Sequence, residues 1–306
     1  MLFGLSVLAS VILFLLVIGA IAMVVTGGGM DQRVVLRSGP RDSKIVVLDV
    51  GGLIDGSAAE LFQRRLRAVR RDTTVKGLIV RVDSPGGTVS GSDRIYKEIL
   101  DYRREKALPA VAFLQGMATS GGYYAAVACD QIVAEPTVIT GSIGVAMVHF
   151  VFQGLLEDKL GIQPVFQTMG EKKDWPSLFR TPTQAEFAYL RERLLEPAYR
   201  RFVSVVQEGR KEILGPAEVE KLADGGVFPA DLALEVKLID KIGYLDEAIA
   251  AVKSRAGIER AQVVGYRRPV SFLGLLSSKG PTIPRLDRTT LFDLGTPQVM
   301  YLWSAY

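Results

Sequence analysis

Gly116-Met-Ala-Thr-Ser120-Gly-Gly-Tyr-Tyr124 joins two apolar runs of the chain. The run before it, Val111–Leu114, predicts a buried strand, and the run after it, Tyr123–Ala128, predicts a buried helix. Ser120 therefore lies at a strand-to-helix turn, where free backbone N–H groups and the helix dipole favour negative charge. Such a turn suits a serine nucleophile whose attack creates an oxyanion. The alternative is a serine N-cap followed by glycines that allow close packing.

A second glycine turn, Asp83-Ser-Pro-Gly-Gly87, follows another apolar run, Val75–Val82, that predicts a strand. A strand is predicted before it at Lys44–Val50, and helices are predicted at Ala58–Arg71 and Val89–Lys106. Strands and helices that alternate in this way predict an α/β fold with parallel strands and crossover helices. Because ligands bind at the carboxyl ends of such strands, we expect both glycine turns at one edge of the sheet. The alternative for the second is a plain type II turn.

The remaining elements are predicted from the same periodicities. Strands are expected at Gln131–Glu135, Val145–Phe152 and Pro164–Gln167, and helices at Gly154–Leu160, Thr183–Lys211, Ala217–Ala223, Pro229–Ile239 and Leu245–Ser254. Thr183–Glu186 has the capping-box pattern that begins a helix. Thr140–Val145 predicts a hydroxyl-bearing turn after a strand, and Met169–Pro176 predicts a charged turn.

Four segments are predicted along the chain: a transmembrane anchor at 1–27, a linker at 28–43, one α/β domain at 44–270 and a tail at 271–306 that ends in an apolar run. Residues 1–30 carry no charged side chain. Leu5–Val25, at about 1.5 Å per residue, is long enough to cross a hydrocarbon core of roughly 30 Å. A cleaved signal peptide is the alternative, but the positive residues that precede its apolar run are missing.

Composition excludes several classes of function. The chain has 306 residues, of which 48% are hydrophobic and 23% charged, as expected for a folded protein with a sizeable core. Its net charge is only +4, and its basic residues form no long runs interleaved with aromatics, so nucleic acid is not a predicted partner. The single cysteine, Cys129, excludes an internal disulfide and a cysteine metal cluster, and we predict that it is a small core residue.

The single histidine, His149, limits the catalytic chemistry. It lies in the apolar run Val145–Phe152, which favours a core or strand-edge position. A zinc site with two or three histidines is therefore excluded, and a Ser-His-Asp triad would have to use His149. The G-x-S-x-G motif of α/β-hydrolases is absent from the sequence. If a serine is activated, lysine is the best remaining base, and we predict neither a metal nor a cofactor.

Four motifs follow one another along the chain: Asp83–Gly87, Met117–Tyr124, Thr140–Val145 and Gly170–Asp174. Together they resemble the short form of the signal peptide peptidase A family, membrane-bound Ser-Lys proteases related to the Clp protease and crotonase folds. The resemblance extends from the N-terminal apolar segment to the C-terminal tail. It implies a ClpP/crotonase-like α/β fold, with parallel sheets and flanking helices, preceded by one transmembrane helix.

The resemblance implies roles for five residues. Ser120 would be the nucleophile and Lys173 its general base, while Ser142 would hydrogen-bond to the lysine and orient it. The backbone N–H groups of Gly87 and Gly121 would form the oxyanion hole. None of these roles requires a bound ion.

The sequence departs from the family pattern beside the predicted base. Lys172 precedes Lys173, so Lys173 is chosen by its place before Asp174, and Thr119, where the family commonly has alanine, is a milder change. A lysine removes a proton only when it is neutral, and burial or a nearby positive charge lowers a lysine pKa. The alternatives are a solvated surface turn for the two lysines and a plain turn hydroxyl for Ser142.

We therefore expect a serine endopeptidase with a Ser-Lys dyad that degrades cleaved signal peptides and similar apolar peptides. Its expected partners are such peptides, membrane lipid, and further copies of the chain in a ring-like homo-oligomer with shared active sites. We expect a single span in the cell membrane. Basic residues after this span favour a cytoplasmic domain, but the family's habit is extracytoplasmic, and long domains translocate largely regardless of charge. The alternatives are a crotonase-like acyl-CoA enzyme and a catalytically silent membrane scaffold.

Overall fold

A computed structural model of the chain describes Phe14 and residues 32–267 and 298–303. The strands of this part are β1 (Gln32–Arg37), β2 (Lys44–Ile54), β3 (Val75–Thr88), β4 (Ala110–Thr119), β5 (Gln131–Ala134), β6 (Ile139–Gly141), β7 (Ala146–Val148), β8 (Val227–Pro229), β9 (Lys241–Ile242), β10 (Gln262–Arg267) and β11 (Gln298–Leu302). Its α-helices are α1 (Gly56–Arg71), α2 (Val89–Lys106), α3 (Gly121–Ala126), α4 (Gln184–Leu190), α5 (Glu196–Arg210), α6 (Pro216–Leu222), α7 (Ala230–Glu235) and α8 (Leu245–Ala256). Two π-helical segments cover Leu155–Lys159 and Arg191–Leu195.

The strands form one largely parallel sheet, whose main order is β1-β10-β2-β3-β4-β5-β9. The neighbours from β10 to β9 in this order all pair in parallel. β6 pairs in parallel with the end of β4 and antiparallel with β8. β11 pairs antiparallel with both β3 and β7. This sheet and its flanking helices confirm the predicted α/β class.

Both faces of the central strands are buried, which explains why these strands are unbroken apolar runs in the sequence. In β2, Val46 and Leu48 pack in the cluster that contains the apolar side chains of α1 and α2, while Ile45 and Val47 pack in the cluster that contains those of α8. Full burial of one such side chain stabilises the fold by about 1.5–3 kcal/mol. Cys129 belongs to the first cluster and is buried, as predicted.

Side-chain caps fix where several helices begin. The Asp55 carboxylate accepts a hydrogen bond from the Ala58 N–H at 2.7 Å, and the Thr88 hydroxyl accepts one from the Gly91 N–H at 3.1 Å. Thr88 also ends β3, so α2 begins directly after the second glycine turn. The capping box predicted at Thr183–Glu186 is confirmed, with both of its reciprocal hydrogen bonds present. Such a cap typically stabilises a helix by about 1 kcal/mol.

Three predictions between residues 145 and 211 are corrected by the structure. In the predicted strand Val145–Phe152 only β7 is a strand, and Val148 there is 60% exposed. Pro164–Gln167 is not a strand, because Val165 is 82% exposed and the described residues offer it no partner strand. The predicted helix Thr183–Lys211 is interrupted by the π-helical segment between α4 and α5. Apolar runs suggested core strands here, but Val148 and Val165 lie at the surface of the described chain.

The predicted linker and tail both contribute strands to the sheet. β1, within residues 28–43, pairs with β10, and β11, within residues 271–306, pairs with β3 and β7. The predicted anchor, residues 1–27, lies outside the described residues except for Phe14. No helix in the part of the chain that the structure describes is long and apolar enough to cross a membrane.

Candidate active site

Ser120 lies between β4 and α3, as predicted, and is only 1% exposed. Its backbone has φ 52° and ψ −115°, a conformation that costs a non-glycine residue about 1–3 kcal/mol. Its N–H donates to the Gly141 carbonyl at 2.8 Å, and its carbonyl accepts from the Tyr124 N–H at 2.8 Å. The hydroxyl makes no capping hydrogen bond to α3. The alternative of a side-chain N-cap is therefore wrong.

Positive φ also marks the second predicted serine. Among the described residues other than glycine, φ is positive at Ala107, Ser120, Ser142 and Lys237. The first and last of these follow helix ends, where the left-handed conformation is common. The two serines follow neighbouring parallel strands, in which Thr119 is opposite Gly141. Strand register therefore places the two strained serines side by side.

Ser142 is held from the other side by the loop before β8. Its N–H donates to the Gly226 carbonyl at 2.7 Å, and the Gly225 N–H donates to the Ile143 carbonyl at 3.1 Å. Ser142 is 6% exposed. These backbone bonds fix the turn that carries its hydroxyl.

The glycine turn within β3 packs directly on the residue after Ser120. A Cβ atom added to Gly86 would lie 2.8 Å from the backbone nitrogen of Gly121, and one added to Gly121 would lie 3.1 Å from that of Gly87. This close approach requires glycine at both positions. Ser84 holds the turn, because its hydroxyl donates to the Gly52 carbonyl at 2.6 Å and accepts from the Gly86 N–H at 3.0 Å. The two predicted oxyanion-hole residues are therefore close neighbours.

Two buried tyrosines fix α3 beneath Ser120. The Tyr123 hydroxyl donates to the Leu238 carbonyl at 2.8 Å, and the Tyr124 hydroxyl donates to the Asp93 carboxylate at 2.5 Å. Asp93 also accepts from the Arg201 guanidinium at 2.9 Å. A site of fixed geometry needs such support behind the residues that react.

Ser120 and Ser142 line one open pocket of about 360 Å³. Its other lining residues are Gly144, Val145, Ala146, Tyr199, Ala223, Asp224, Gly225, Leu302 and Trp303. Within the described part of the chain, this lining includes no lysine and no histidine, and its one carboxylate, Asp224, accepts a hydrogen bond from the Gly226 N–H at 2.8 Å. Among the described residues of a single chain, the pocket therefore contains two serines but no amine or imidazole that could act as a base.

Lys173 lies in the predicted charged turn, is exposed, and is not among the residues that line the pocket. Its neighbour Lys172 has its ammonium 5.1 Å from the centre of the Trp175 ring and 5.7 Å from that of Tyr189. Cation–π contacts of this kind contribute about 0.5–1 kcal/mol at exposed sites. The two lysines thus differ in their contacts, because the Lys172 ammonium lies over aromatic rings of its own chain while Lys173 is exposed.

A network of charged groups ties the lysine turn to the start of α4. The Arg180 guanidinium lies 3.0 Å from the Asp174 carboxylate and 2.7 Å from the Glu186 carboxylate. The hydrogen bonds from Arg180 lower the pKa of Glu186 to about 2, and the backbone N–H of Thr183 acts in the same direction. The residue that follows Lys173 is therefore fixed to a helix end, although Lys173 itself faces solvent.

Comparison with known proteins identifies the family. Residues 102–259, just over half of the chain, match the model for peptidase family S49. The chain belongs to peptidase family S49. It is 34% identical over 243 residues to an Enterococcus faecium protein provisionally named signal peptide peptidase SppA, with 76% of this chain and 69% of the relative covered. It is 34% identical over 269 residues to the chloroplastic serine protease SPPA of Arabidopsis thaliana, with 86% and 38% covered.

A third relative of this S49 peptidase is Protease 4 of Haemophilus influenzae, which is 32% identical over 214 residues. The alignment covers 68% of this chain and 34% of the relative. The chain thus spans little more than a third of the length of the plant and Haemophilus relatives. Family and relatives together make the chain a serine peptidase, and they support the resemblance first seen in the four motifs.

Sequence analysis missed several residues that shape the site of this S49 peptidase. Leu302 and Trp303 line the pocket, although the tail was predicted to lie outside the domain. The apolar end of that tail was the signal that could have found them. Ser84 lies inside a predicted motif, but its role in holding the glycine turn depends on contact with Gly52.

His149, the single histidine of the sequence, is half-buried after β7, and its Nε2 atom has no hydrogen-bond partner among the described residues.

Proposed function

We propose that this serine peptidase is a membrane-anchored endopeptidase that cleaves signal peptides and similar apolar peptides with a Ser120–Lys173 dyad. The observation that supports it best is Ser120, a buried serine at positive φ beside the glycine turn of β3. Backbone strain that the surrounding fold maintains at the end of a strand is typical of a functional residue. The names of the relatives support the substrate class, since one is a signal peptide peptidase.

The proposed reaction uses Ser120 as the nucleophile and Lys173 as the base. The Ser120 hydroxyl attacks the peptide carbonyl as its proton passes to the neutral Lys173 amine, and the N–H groups of Gly87 and Gly121 stabilise the oxyanion. The protonated lysine then gives its proton to the leaving amine, and an acyl-enzyme forms. Water, activated by the same lysine, hydrolyses this ester and restores the serine. Ser142, beside Ser120, orients the lysine through its hydroxyl.

The base is supplied, in this proposal, by a neighbouring copy of the chain in a ring-like homo-oligomer. Two observations support it: the described residues that line the pocket of one chain include no amine, and Lys173 is exposed outside that pocket. Apolar side chains before the lysine turn are also unusually exposed, with Val165 at 82%, Phe166 at 63% and Met169 at 96%. Exposed apolar groups clustered in this way are typical of contact with another chain or with lipid.

The anchor and the location belong to the same proposal. The predicted anchor at 1–27, which carries no charged side chain, would hold the enzyme in the cell membrane, and the domain of the Clp protease and crotonase type would lie outside the cytoplasm. Protease treatment of intact spheroplasts tests the orientation. We expect the domain to be digested, and a fully protected domain would contradict the proposal.

The function is tested with a serine-reactive fluorophosphonate and an apolar peptide library. We expect the full chain in detergent to be labelled at Ser120 and to cleave peptides, and Ser120→Ala to do neither. Turnover of acyl-CoA thioesters without peptide cleavage would favour the crotonase-like alternative. Absence of both labelling and turnover would favour the scaffold.

A further inference from the structure

Three arginines form a stripe on the exposed face of α1. Arg64, Arg67 and Arg71 are spaced three and four residues apart, so their side chains lie on the same face of the helix. All three are exposed, and in the part of the chain that the structure describes none of their guanidinium groups makes a hydrogen bond or an ion pair. Arg70 of the same helix differs, because its guanidinium lies 3.1 Å from the Glu98 carboxylate. The three arginines of the stripe are thus available to a partner outside the chain.

The acidic residues around the arginine stripe do not neutralise it. α1 contains five arginines and one acidic residue, Glu60, so its net charge of +4 equals that of the whole chain. Asp72, which directly follows the helix, is paired with Arg33 at 2.8 Å and with Lys44 at 3.3 Å. The stripe therefore presents uncompensated positive charge at the surface.

The arginine stripe lies close to the point where the chain enters the domain. Arg33, the second residue of β1, forms its ion pair with Asp72 at the end of α1. The guanidinium groups of Arg33 and Arg65 lie 5.8 Å and 5.9 Å from the centre of the Tyr266 ring, so β1 and α1 meet there. The predicted anchor ends at residue 27, five residues before β1, and five residues span at most about 18 Å. A membrane that held the anchor would therefore lie near the C-terminal half of α1.

We propose that the arginine stripe binds the anionic headgroups of membrane phospholipids and holds this face of the domain against the bilayer. The inference rests on the proposed function, because the proposed anchor keeps the stripe within reach of the membrane surface. Arginine forms paired hydrogen bonds with phosphate oxygens, and the stripe extends about 10 Å along the helix, enough for more than one headgroup. Each basic residue close to an anionic leaflet strengthens association about fivefold, within a Debye length of about 8 Å at physiological salt.

The test measures the contact of α1 with lipid in the full chain, reconstituted in nanodiscs. Cys129 is buried, so a fluorophore attached to Ala68→Cys labels only the exposed position between Arg67 and Arg71. Lipids that carry a nitroxide on the headgroup quench this fluorophore when it lies at the bilayer surface. We expect stronger quenching in phosphatidylcholine discs that contain phosphatidylglycerol than in pure phosphatidylcholine discs, and loss of this difference at high salt.

Substitution of the stripe tests whether its charge causes this difference. The triple variant Arg64→Gln, Arg67→Gln and Arg71→Gln keeps residues of high helix propensity. It should lose the extra quenching in phosphatidylglycerol, because three arginines together strengthen association about a hundredfold. The same three arginines changed to lysine should retain it, because the charge is kept.

A matched control removes the same amount of charge far from the arginine stripe. Lys241 begins β9, which lies at the opposite end of the main strand order from β1. Lys221, at the end of α6, and Lys237, after α7, are also exposed. The triple variant Lys221→Gln, Lys237→Gln and Lys241→Gln should show the same extra quenching as the wild type.

Two results would overturn the inference: equal quenching with and without phosphatidylglycerol, or extra quenching that the glutamine variant of the stripe retains. A stripe covered by a second copy of the chain would give the first result, together with smaller oligomers of that variant. Fluorophosphonate labelling of Ser120 in detergent should proceed at the wild-type rate in the glutamine variant, which shows that it is folded. Absence of this labelling in every chain would remove the proposed function, while the quenching still decides the role of the stripe. If the glutamine variant does not fold, the lipid and salt dependence of the wild type decides the question.

Discussion

The two halves of the proposed dyad are held by different kinds of interaction. Ser120 is buried and fixed by backbone hydrogen bonds and by the register of β4 and β6. Lys173 is exposed, and its turn is tied to α4 by the side chains of Asp174, Arg180 and Glu186. One chain thus holds Ser120 rigidly and presents Lys173 at its surface. This difference is what a site completed by a second copy requires, because the lysine must be positioned and yet reachable.

Removal of the Ser120 hydroxyl should cause the largest loss of peptide hydrolysis. Ser120→Ala should lower kcat for peptide hydrolysis by roughly 10⁴-fold or more, as for other serine nucleophiles. Its thermal unfolding should remain close to that of the wild type, because the hydroxyl makes no capping bond. Ser204→Ala, at an exposed serine of α5, is the control and should keep full activity. Peptide hydrolysis by Ser120→Ala at the wild-type rate would show that Ser120 is not the nucleophile.

Peptide hydrolysis should be lost or kept according to which of two adjacent lysines is substituted. Lys173→Arg should lower activity by about 10²–10⁴-fold, because arginine stays protonated and accepts no proton. Lys172→Arg keeps the cation over Trp175 and should remain active. The reverse order of the two variants would contradict the choice of Lys173.

Loss of the Arg180–Glu186 ion pair, which holds the lysine turn, should have a smaller effect, and this effect should depend on pH. The folded pKa of Glu186, about 2, lies below that of an unfolded glutamate, about 4.3. Its carboxylate therefore stabilises the fold above about pH 4.3, and this contribution is lost as the pH falls towards 2. Glu186→Gln should lower the free energy of unfolding by about 1–3 kcal/mol at pH 7, and less at acid pH. Denaturant unfolding measures this.

The matched control for Glu186 is Glu196→Gln, which changes an exposed ion pair with Arg200. It should shift the free energy of unfolding by less than about 1 kcal/mol at any pH. An equal loss of stability in the two variants, or a loss for Glu186→Gln that does not shrink at acid pH, would mean that the network does not anchor the turn.

The strands and glycine turns around Ser120 could be predicted from the sequence, because apolar runs and turn residues are local signals. Apolar runs predicted β3 and β4, and glycines followed each run at the carboxyl ends where parallel sheets bind ligands. α2 was predicted at Val89–Lys106 and is found there. Positive φ at Ser120 and the contact of Gly86 with Gly121 depend on how distant segments pack, so only the structure gives them.

The region from β7 to α4 and the tail could not be predicted in the same way. Apolar runs such as Pro164–Gln167 normally indicate a core strand, but Val165 and Phe166 in this run are 82% and 63% exposed. β11 is short and separated from its partner β3 by most of the sequence, so no periodicity points to their pairing. Errors therefore fall where contacts are long-range or are made, in our proposal, with another molecule.

The measurement that tests the shared site most directly is complementation between two inactive chains. Ser120→Ala and Lys173→Ala chains, each with its own tag, are assembled together, and mixed oligomers are purified through both tags. If neighbours associate at random in equal amounts, about a quarter of the interfaces pair an intact serine with an intact lysine. We predict recovered peptide hydrolysis near that fraction, although each variant alone is inactive. No recovery in purified mixed oligomers would show that Ser120 and Lys173 act within one chain, and would contradict the shared site.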